Sequence, residues 1–570
     1  MTKLKKRSRL LVTFVAITAT GLAPAQTVPD AGSLLQQIER NRQPLPKRPL
    51  QLDVVPLPQE LKTDPGVSVT VARFVFVGNT LLAQDLLGAA VADYLNRPLS
   101  FADLQKAAAA VAERYRQAGW VVRAYLPKQE IDSGTVTIQI VEGRFGSAKT
   151  EGDEPLHLKF STALGYIQAV QKPGEPVNAD AIDRAAMLLD DLPGVAASYA
   201  FREGEADGET DLILKLTDTP VFLGSVDVDN TGARSTGSQR VAATGYLESA
   251  LGLGDQAMLN LIKTEGSHYA RAGLTLPLGT TGLRLGVSAS SLSYALVAPE
   301  FALLDVHGTA TTTGLEASYP LVRSRTSNLS LQATMDRKEF DNYANQASTS
   351  RYHVDATSLA LNGNTYDGLW GGGANTASLA LVSGSVDLSG SANQSADVAS
   401  TQTEGRFNKL KLTLGRNQSV TENVSLYGQV AIQRADRNLD SSEKLNLGGT
   451  AGVRAYPGAE GSGADGQTLS LEARWRLPQA LILSAFYDWG QISAVNHNNT
   501  APDGTVLTPL NVYSLHGYGL SLSWVAPFGA QIKGTWARRI GSNPNPTASG
   551  LDQDGSLDLN RFWLLATLPL

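Results

Sequence analysis

From about residue 220 to the end of the chain, apolar residues recur at every second position. Examples are Leu283, Leu285, Val287 and Ala289, then Val424, Leu426, Gly428, Val430 and Ile432, then Leu469, Leu471, Ala473, Trp475 and Leu477. The residues between them and in neighbouring runs, among them Arg284, Ser288, Lys411, Gln429, Gln433, Glu472 and Arg474, are polar. A strand turns successive side chains to opposite faces, so this rhythm predicts strands with one apolar and one polar face. In a membrane barrel the apolar face meets lipid and the polar face lines the lumen. A soluble sandwich also alternates, but it has no need of so regular a repeat. Spread over 16 strands, residues 220–570 allow about 22 residues per strand and connection, which suits spanning strands of about 10 residues.

Upstream the period changes. Val69 to Val77 is a β-rich run closed by Gly78-Asn79, and Leu81 to Leu95 and Phe101 to Ala118 carry helical spacing, the second stopped by Gly119. Trp120 to Leu126 and Thr135 to Val141 again read as strands, so residues 67–152 form a β-α-α-β-β module. Residues 153–219 are a looser copy, with a helix over Ala179 to Leu189 and strands over Ala196 to Arg202 and Asp211 to Leu216. Asp180, Asp183, Asp190 and Asp191 line that helix and read as a solvated face. Within residues 26–40, Asp30 and Ser33 are helix starts and Leu34, Leu35 and Ile38 an apolar stripe, predicting one short amphipathic helix. Residues 41–66 hold six prolines, Pro44 to Pro65, and predict an extended linker.

The first residues set the compartment. Lys3, Lys5, Lys6, Arg7 and Arg9 precede an apolar run from Leu10 to Leu22 and the small-x-small triplet Ala23-Pro24-Ala25, so residues 1–25 read as a secretory signal peptide. The run is shorter than the ~18 residues of a spanning helix, and no later run is longer and as apolar. A closed β-barrel is then the only way for the mature chain to span a bilayer. The 570 residues are 42% hydrophobic and 18% charged, with no cysteine, which excludes disulfides, thiolate catalysis and Cys-bound zinc. Formal charge is −6, and it becomes −11 once the five leader cations are set aside. Nucleic acid is not expected as a partner of so acidic a chain.

The order of signal peptide, short helix, Pro-rich linker, two small α/β modules and C-terminal barrel resembles the two-partner secretion transporters (TpsB). The modules are similar to POTRA domains at Phe76-Val77-Gly78-Asn79-Thr80, Gly119-Trp120 and Glu142-Gly143, and Val228-Asp229-Asn230 with Gly232 and Gly237 resembles the family's first barrel strand. Val453-Arg454-Ala455-Tyr456-Pro457, inside the Gly-rich stretch 448–466, is similar to the VRGY motif of the family's long sixth extracellular loop. The resemblance implies a mainly β fold, a 16-stranded antiparallel transmembrane β-barrel after two periplasmic POTRA modules. It implies an outer-membrane translocator that captures an unfolded exported partner polypeptide of hemolysin or adhesin type and secretes it without ATP. An outer-membrane assembly factor of the same superfamily is the alternative, although such factors carry three or more modules.

The resemblance further implies a lumenal lock in which Arg454 pairs with Asp488 of Phe486-Tyr487-Asp488-Trp489-Gly490, with Tyr456, Phe486 and Gly490 around the pair. Alternation independently turns Leu483, Ala485, Tyr487 and Trp489 toward lipid and Phe486, Asp488 and Gly490 toward the lumen. A buried guanidinium stranded without a partner costs about 3–5 kcal/mol, and a carboxylate offers the planar two-point match. Ala455 stands where the family has glycine, which disfavours a positive φ there. Val75, Val77, Asn79 and Trp120 are candidate client contacts on the first module, by backbone pairing at a strand edge or in a helix–strand groove. The helix within residues 26–40 is a candidate plug. The terminal run Phe562, Leu564, Ala566, Leu568, Leu570 resembles the strand read by the barrel-assembly machinery, with Leu570 in place of the usual aromatic residue. The expected partners are therefore the secreted polypeptide, outer-membrane lipid and, during biogenesis, that machinery, around a monomer.

No enzyme is expected. The six histidines contain no i, i+4 pair, so no metal is predicted. Ser441 to Lys444 has Ser-x-x-Lys spacing without companion motifs, and Gly252 to Ala257 sits between alternating strands rather than opening a helix, so no cofactor is predicted either.

Overall fold

The computed structural model describes residues 28–40 and 68–570, except Asp132, Asp207, Asn498 and Pro509. The expected signal peptide and Pro-rich linker lie outside the described residues.

Helix α1 (Ala31–Arg40) is the first element. In the first module, β1 (Ser68–Thr70) pairs with β3 (Pro98–Ser100), and β2 (Arg73–Val77), β4 (Val122–Tyr125) and β5 (Thr135–Glu142) form a sheet of order β2-β5-β4 under α2 (Gln84–Ala90) and α3 (Phe101–Gln117). Helix α3 starts at a capping box of Ser100 and Asp103 and stops before Gly119, whose φ is +81°. The helical spacing over Leu81 to Leu95 yields only α2 and one 3-10 turn, because the chain passes through Asn96 at φ +57° to enter β3.

The second module contains β6 (Arg144–Glu151), α4 (Phe160–Gln168), α5 (Ala179–Asp190), β7 (Val195–Glu203) and β8 (Glu209–Asp218). Strand β6 pairs parallel to β8. The expected division at 152 therefore shifts to Gly143, where the first sheet ends and the second begins. Strand β6, RFGSAKTE, buries only Phe145 and so shows no alternation, and α4 starts at Lys159 without a side-chain cap.

The alternating region closes into a barrel. Its first strands are β9 (Phe222–Asp229), β10 (Arg240–Glu248), β11 (Gln256–Lys263), β12 (Ser267–Leu278), β13 (Leu283–Ala295) and β14 (His307–Arg323). There follow β15 (Ser327–Ala344), β16 (Ala347–Asp367), β17 (Gly373–Asp387), β18 (Gly405–Ser419) and β19 (Val424–Ala435). After a lumenal insertion carrying the short pair β20 (Leu445–Asn446) and β21 (Ser462–Gly463), the wall resumes with β22 (Asp465–Leu477), β23 (Leu481–Ser493), β24 (Val512–Val525), β25 (Gln531–Arg539) and β26 (Asn560–Pro569). Sixteen strands pair antiparallel in chain order, and β26 pairs with β9 to close the ring. Val287, Leu315, Met335, Leu359, Leu381, Leu520 and Phe562 are exposed on the outer wall, as a lipid-facing belt requires. Turns at the end facing the modules are short, such as 279–282, 324–326 and 478–480, and those at the far end include the long connections 436–464, 494–511 and 540–559.

Module and barrel are tied together at the near end. Asp191 accepts from Arg323 Nε at 2.7 Å and Nη2 at 2.9 Å, and Asp183 accepts from Arg325 Nη2 at 2.7 Å. Arg184 Nη2 donates to the Pro320 carbonyl at 2.6 Å. The acidic face of α5, expected to be solvated, is in part a docking face: Asp190 instead accepts from Ala197 N at 2.9 Å within its own module.

A lumenal hairpin and an inserted helix

The connection 436–464 folds back into the barrel because its glycines allow backbone to pass against backbone. A Cβ at Gly448 would lie 1.9 Å from the Pro457 carbonyl oxygen, and one at Gly452 would lie 1.9 Å from that of Leu447. These two glycines therefore permit the tight hairpin that carries Val453 to Pro457.

The wall opposite is set by alternation. Strands β22 and β23 pair with Ser470 opposite Asp488 and Glu472 opposite Phe486, all on the lumenal side. Arg454, 6% exposed, reaches all four. Its Nε and Nη2 donate to the two oxygens of Asp488 at 2.8 and 2.7 Å, and its backbone N donates to Asp488 Oδ2 at 3.1 Å. Its Nη1 donates to Glu472 at 2.7 Å and Nη2 also to Ser470 Oγ at 3.0 Å, while its Cζ lies 3.5 Å from the centre of the Phe486 ring. This is a forked, charge-assisted pair with a cation–π face. Arg474 donates to the second oxygen of Glu472 at 2.7 Å, so two cations meet two carboxylates and no buried charge is left over.

The structure thus brings Arg454, Asp488 and Phe486 together. Gly490 lies beside them under Leu447 and Val453, where a Cβ would sit 2.9 Å from Leu447 Cδ2. Tyr456 is buried one step on, its ring 4.6 Å from the guanidinium carbon of Arg539, which itself pairs with the fully buried Asp552. Ala455 is not among the positive-φ residues, and its methyl packs on Gly517, whose own Cβ would come within 2.5 Å of it. The departure from glycine is accommodated on the opposite wall. Sequence reasoning placed Glu472 on the polar face without assigning it to Arg454, and it passed over Ser470, Arg539, Asp552 and Trp563, whose indole donates to the Arg454 carbonyl at 2.8 Å.

Helix α1 lies in the same lumen. Ala31, Leu34 and Leu35 are buried in a cluster with Leu292, Phe340, Tyr352 and Phe407 of the inner wall. Ala31 N donates to Asn342 Oδ1 at 2.9 Å, and Ser441 Oγ donates to Asp30 at 2.9 Å. Further along, Gln36 Nε2 donates to the Lys444 carbonyl at 2.7 Å and Arg40 Nη2 to that of Ala451 at 2.8 Å. The helix therefore rests on the same inserted segment that carries Arg454. Glu443 of that segment is clamped between Lys338 at 2.7 Å and Lys409 at 2.6 Å from the wall.

The first-module candidates do not converge. Val75 and Val77 lie on β2, an edge strand of its sheet, and Asn79 caps the following turn by donating to the Leu82 carbonyl at 3.1 Å. Trp120 sits at the seam between modules, bridged to Asn178, with Val121 N donating to the Val177 carbonyl at 3.2 Å. Glu142 accepts from the backbone N of Thr80 at 2.7 Å and of Leu81 at 2.9 Å, and from Tyr115 Oη at 2.9 Å. Burial raises its pKa, but these hydrogen bonds and that of the Thr80 hydroxyl outweigh burial and hold it below the usual carboxylate value.

The sequence profile of the haemolysin secretion/activation proteins ShlB/FhaC/HecB matches residues 208–522, and that of the ShlB-type POTRA domain matches residues 69–143, ending where β6 begins. The heme/hemopexin transporter protein HuxB of Haemophilus influenzae is 26% identical over 551 residues, covering 94% of each chain. The outer membrane transporter CdiB of Dickeya dadantii is 25% identical over 494 residues, covering 84% of this chain and 86% of its own. Among solved structures, CdiB from Escherichia coli has the same fold, with a TM-score of 0.69 at 20% identity over 94% of this chain and 95% of its own. BamA from Haemophilus ducreyi, lacking POTRA domains 1-3, superposes with a TM-score of 0.51 at 14% identity over 88% of this chain. With its profile matched over more than half its length, the chain belongs to the haemolysin secretion/activation protein family ShlB/FhaC/HecB, outer-membrane transporters with POTRA modules in the periplasm.

Proposed function

We propose that this transporter captures one exported polypeptide, unfolded, at its periplasmic modules and passes it outward through the barrel without nucleotide hydrolysis. The observation that carries this reading is a polar lumen occupied by two parts that enter from the chain itself, α1 and the hairpin 436–464. Both are held to the wall by side-chain contacts rather than by strand pairing, so both can leave without opening the barrel. Edge strand β2, with Val75, Val77 and the Asn79 turn, offers a free row of backbone groups to an extended client; backbone pairing tolerates many sequences. Trp120, at the intermodule seam, acts on that site through module geometry. Arg454 with Asp488, Glu472 and Phe486 is the lock that holds the hairpin, with Tyr456 and Gly490 completing its packing, and α1 is the resting plug. The protein works as a monomer and reaches the membrane through the barrel-assembly machinery reading β26. Folding of the client outside supplies direction, since a folded chain cannot slide back.

Binding of the purified full chain to an unfolded secretion-domain fragment of its partner, compared with a variant carrying Val77→Asp on the β2 edge, tests capture. The variant is expected to lose binding while its barrel still resists denaturation in detergent. Equal binding by both would remove β2 from the site.

A further inference from the structure

The outer wall changes from apolar to charged over two rungs between β14 and β18. Below the charges the apolar outward residues are Leu315, Met335, Leu359, Leu381 and Leu410, all exposed to lipid. Above Leu359, Leu381 and Leu410 comes a rung on which Met335 pairs with Thr357, Ser383 and Asn408, and on the next rung from the modules the paired outward residues run Arg337, Asp355, Ser385 and Arg406 across four adjacent strands. β15 continues beyond this rung to Ala344 and β16 begins beyond it at Ala347, whereas β17 ends at Asp387 and β18 begins at Gly405, so the rung lies at the upper limit of the apolar belt, at the rim of the wall on β17 and β18. It borders the headgroup layer of the outer leaflet.

A groove of about 710 Å³ opens on this rung. Val287, Leu315 and Met335 form its apolar end, and Thr357, Ser383 and Ser385 supply hydroxyls. The outward charges lining it are Arg337, Arg406 and Asp355, and Glu339 beside Arg337 brings the set to two positive and two negative charges. Arg337 is shared with Glu339 at 3.3 Å and Asp355 at 3.6 Å, both pairs exposed. Arg406 is exposed and has no side-chain partner among the described residues. Asp341 and Asp387, on higher rungs, bear on the patch from above. The two arginines are three strand spacings apart, roughly 14 Å.

From these features we propose that the groove binds a phosphorylated glycolipid of the outer leaflet, of the lipid A type, with acyl chains on the apolar end and a disaccharide laid along the rung so that a phosphate at each end meets Arg337 and Arg406. Arginine is suited to phosphate by its planar fork, and exposed carboxylate partners are readily exchanged for a doubly charged group. A glycerophospholipid with one phosphate reaches one arginine only.

The test is native mass spectrometry of the full chain in detergent with diphosphoryl lipid A, monophosphoryl lipid A and phosphatidylglycerol in parallel, repeated on Arg337→Gln/Arg406→Gln. The diphosphoryl form should be retained one-to-one at least ten-fold more strongly than phosphatidylglycerol, with the monophosphoryl form between them, and the double variant should fall to the phosphatidylglycerol level. Equal retention of all three lipids, or full retention by the double variant, would overturn the site. Heat-modifiable migration reports whether the variant is folded; if it is not, the ranking of the three lipids on the unaltered chain decides.

Discussion

Arg454 illustrates how a single residue can hold a 29-residue connection in place. Its fork takes both oxygens of Asp488, and its remaining donor takes Glu472. Removing either partner leaves a charge in a partly dry lumen, at a cost of about 3–5 kcal/mol. Arg454→Ala and Asp488→Asn should therefore free the hairpin, read as protease cleavage within 448–464 in folded barrels and as reduced surface export. Arg454→Lys should behave nearly as badly, since a point charge cannot span both oxygens. A second prediction concerns Ala455 and Gly517. Gly517→Ala puts two methyl carbons 2.5 Å apart and should destabilise by about 1–3 kcal/mol, and adding Ala455→Gly should restore most of the loss in a double-mutant cycle. Additive losses would show that the two residues do not meet. The Arg454–Asp488 pair was legible beforehand because the resemblance of residues 453–457 to the family's motif implies it and alternation turns Asp488 toward the lumen. The Arg539–Asp552 pair was not: Asp552 lies in an aperiodic connection, where no pattern says that it turns inward.

At the scale of elements, helices with clear apolar spacing and strands with β-rich or alternating runs could be read from the sequence, and elements without such a pattern could not. Helix α3, with its helical spacing from Phe101 and its stop at Gly119, was clear; α4 and β6 were not, because one has no cap and the other buries a single large residue. The turn closing β2 depends on Glu142, whose pKa is lowered in the folded module. A carboxylate with a depressed folded pKa contributes stability that is complete above its unfolded pKa, about 4.3, and is lost as pH falls through the folded value. Limited proteolysis of the first module should therefore be constant from pH 7 to 5 and quicken below about 4.3, with Glu142→Gln already sensitive at pH 7 and flat across that range. A sensitivity at pH 7 equal to that of the unaltered chain would show that Glu142 does not hold the turn. For α5, Asp183→Ala with Asp191→Ala removes the two carboxylate–arginine pairs to the barrel and leaves the Arg184 bond to the Pro320 carbonyl. Because those pairs are partly exposed, high salt should mimic the double variant, both increasing cleavage between the second module and β9.

For the whole molecule, the order of parts was legible from changes in period, but their relation in space was not. Nothing in the stripe Leu34, Leu35, Ile38 distinguishes a helix packed inside a barrel from one packed on a periplasmic domain. Nor does a row of aspartates reveal that arginines on the ends of distant strands meet it. In space, α1 rests on the segment 441–451, which Glu443 pins to the wall and Arg454 locks further on, so plug and hairpin form one continuous obstruction. A chain lacking residues 28–40 should conduct more in planar bilayers than the full chain, and less than one that also carries Arg454→Ala. Proteoliposomes show whether the barrel passes a polypeptide. The full chain, its modules facing outward, is given an unfolded secretion-domain fragment of its exported partner, without nucleotide. The fragment should become protected from external protease, and Val77→Asp should abolish the protection. A reconstituted barrel that conducts ions yet leaves every fragment digestible would contradict polypeptide transport.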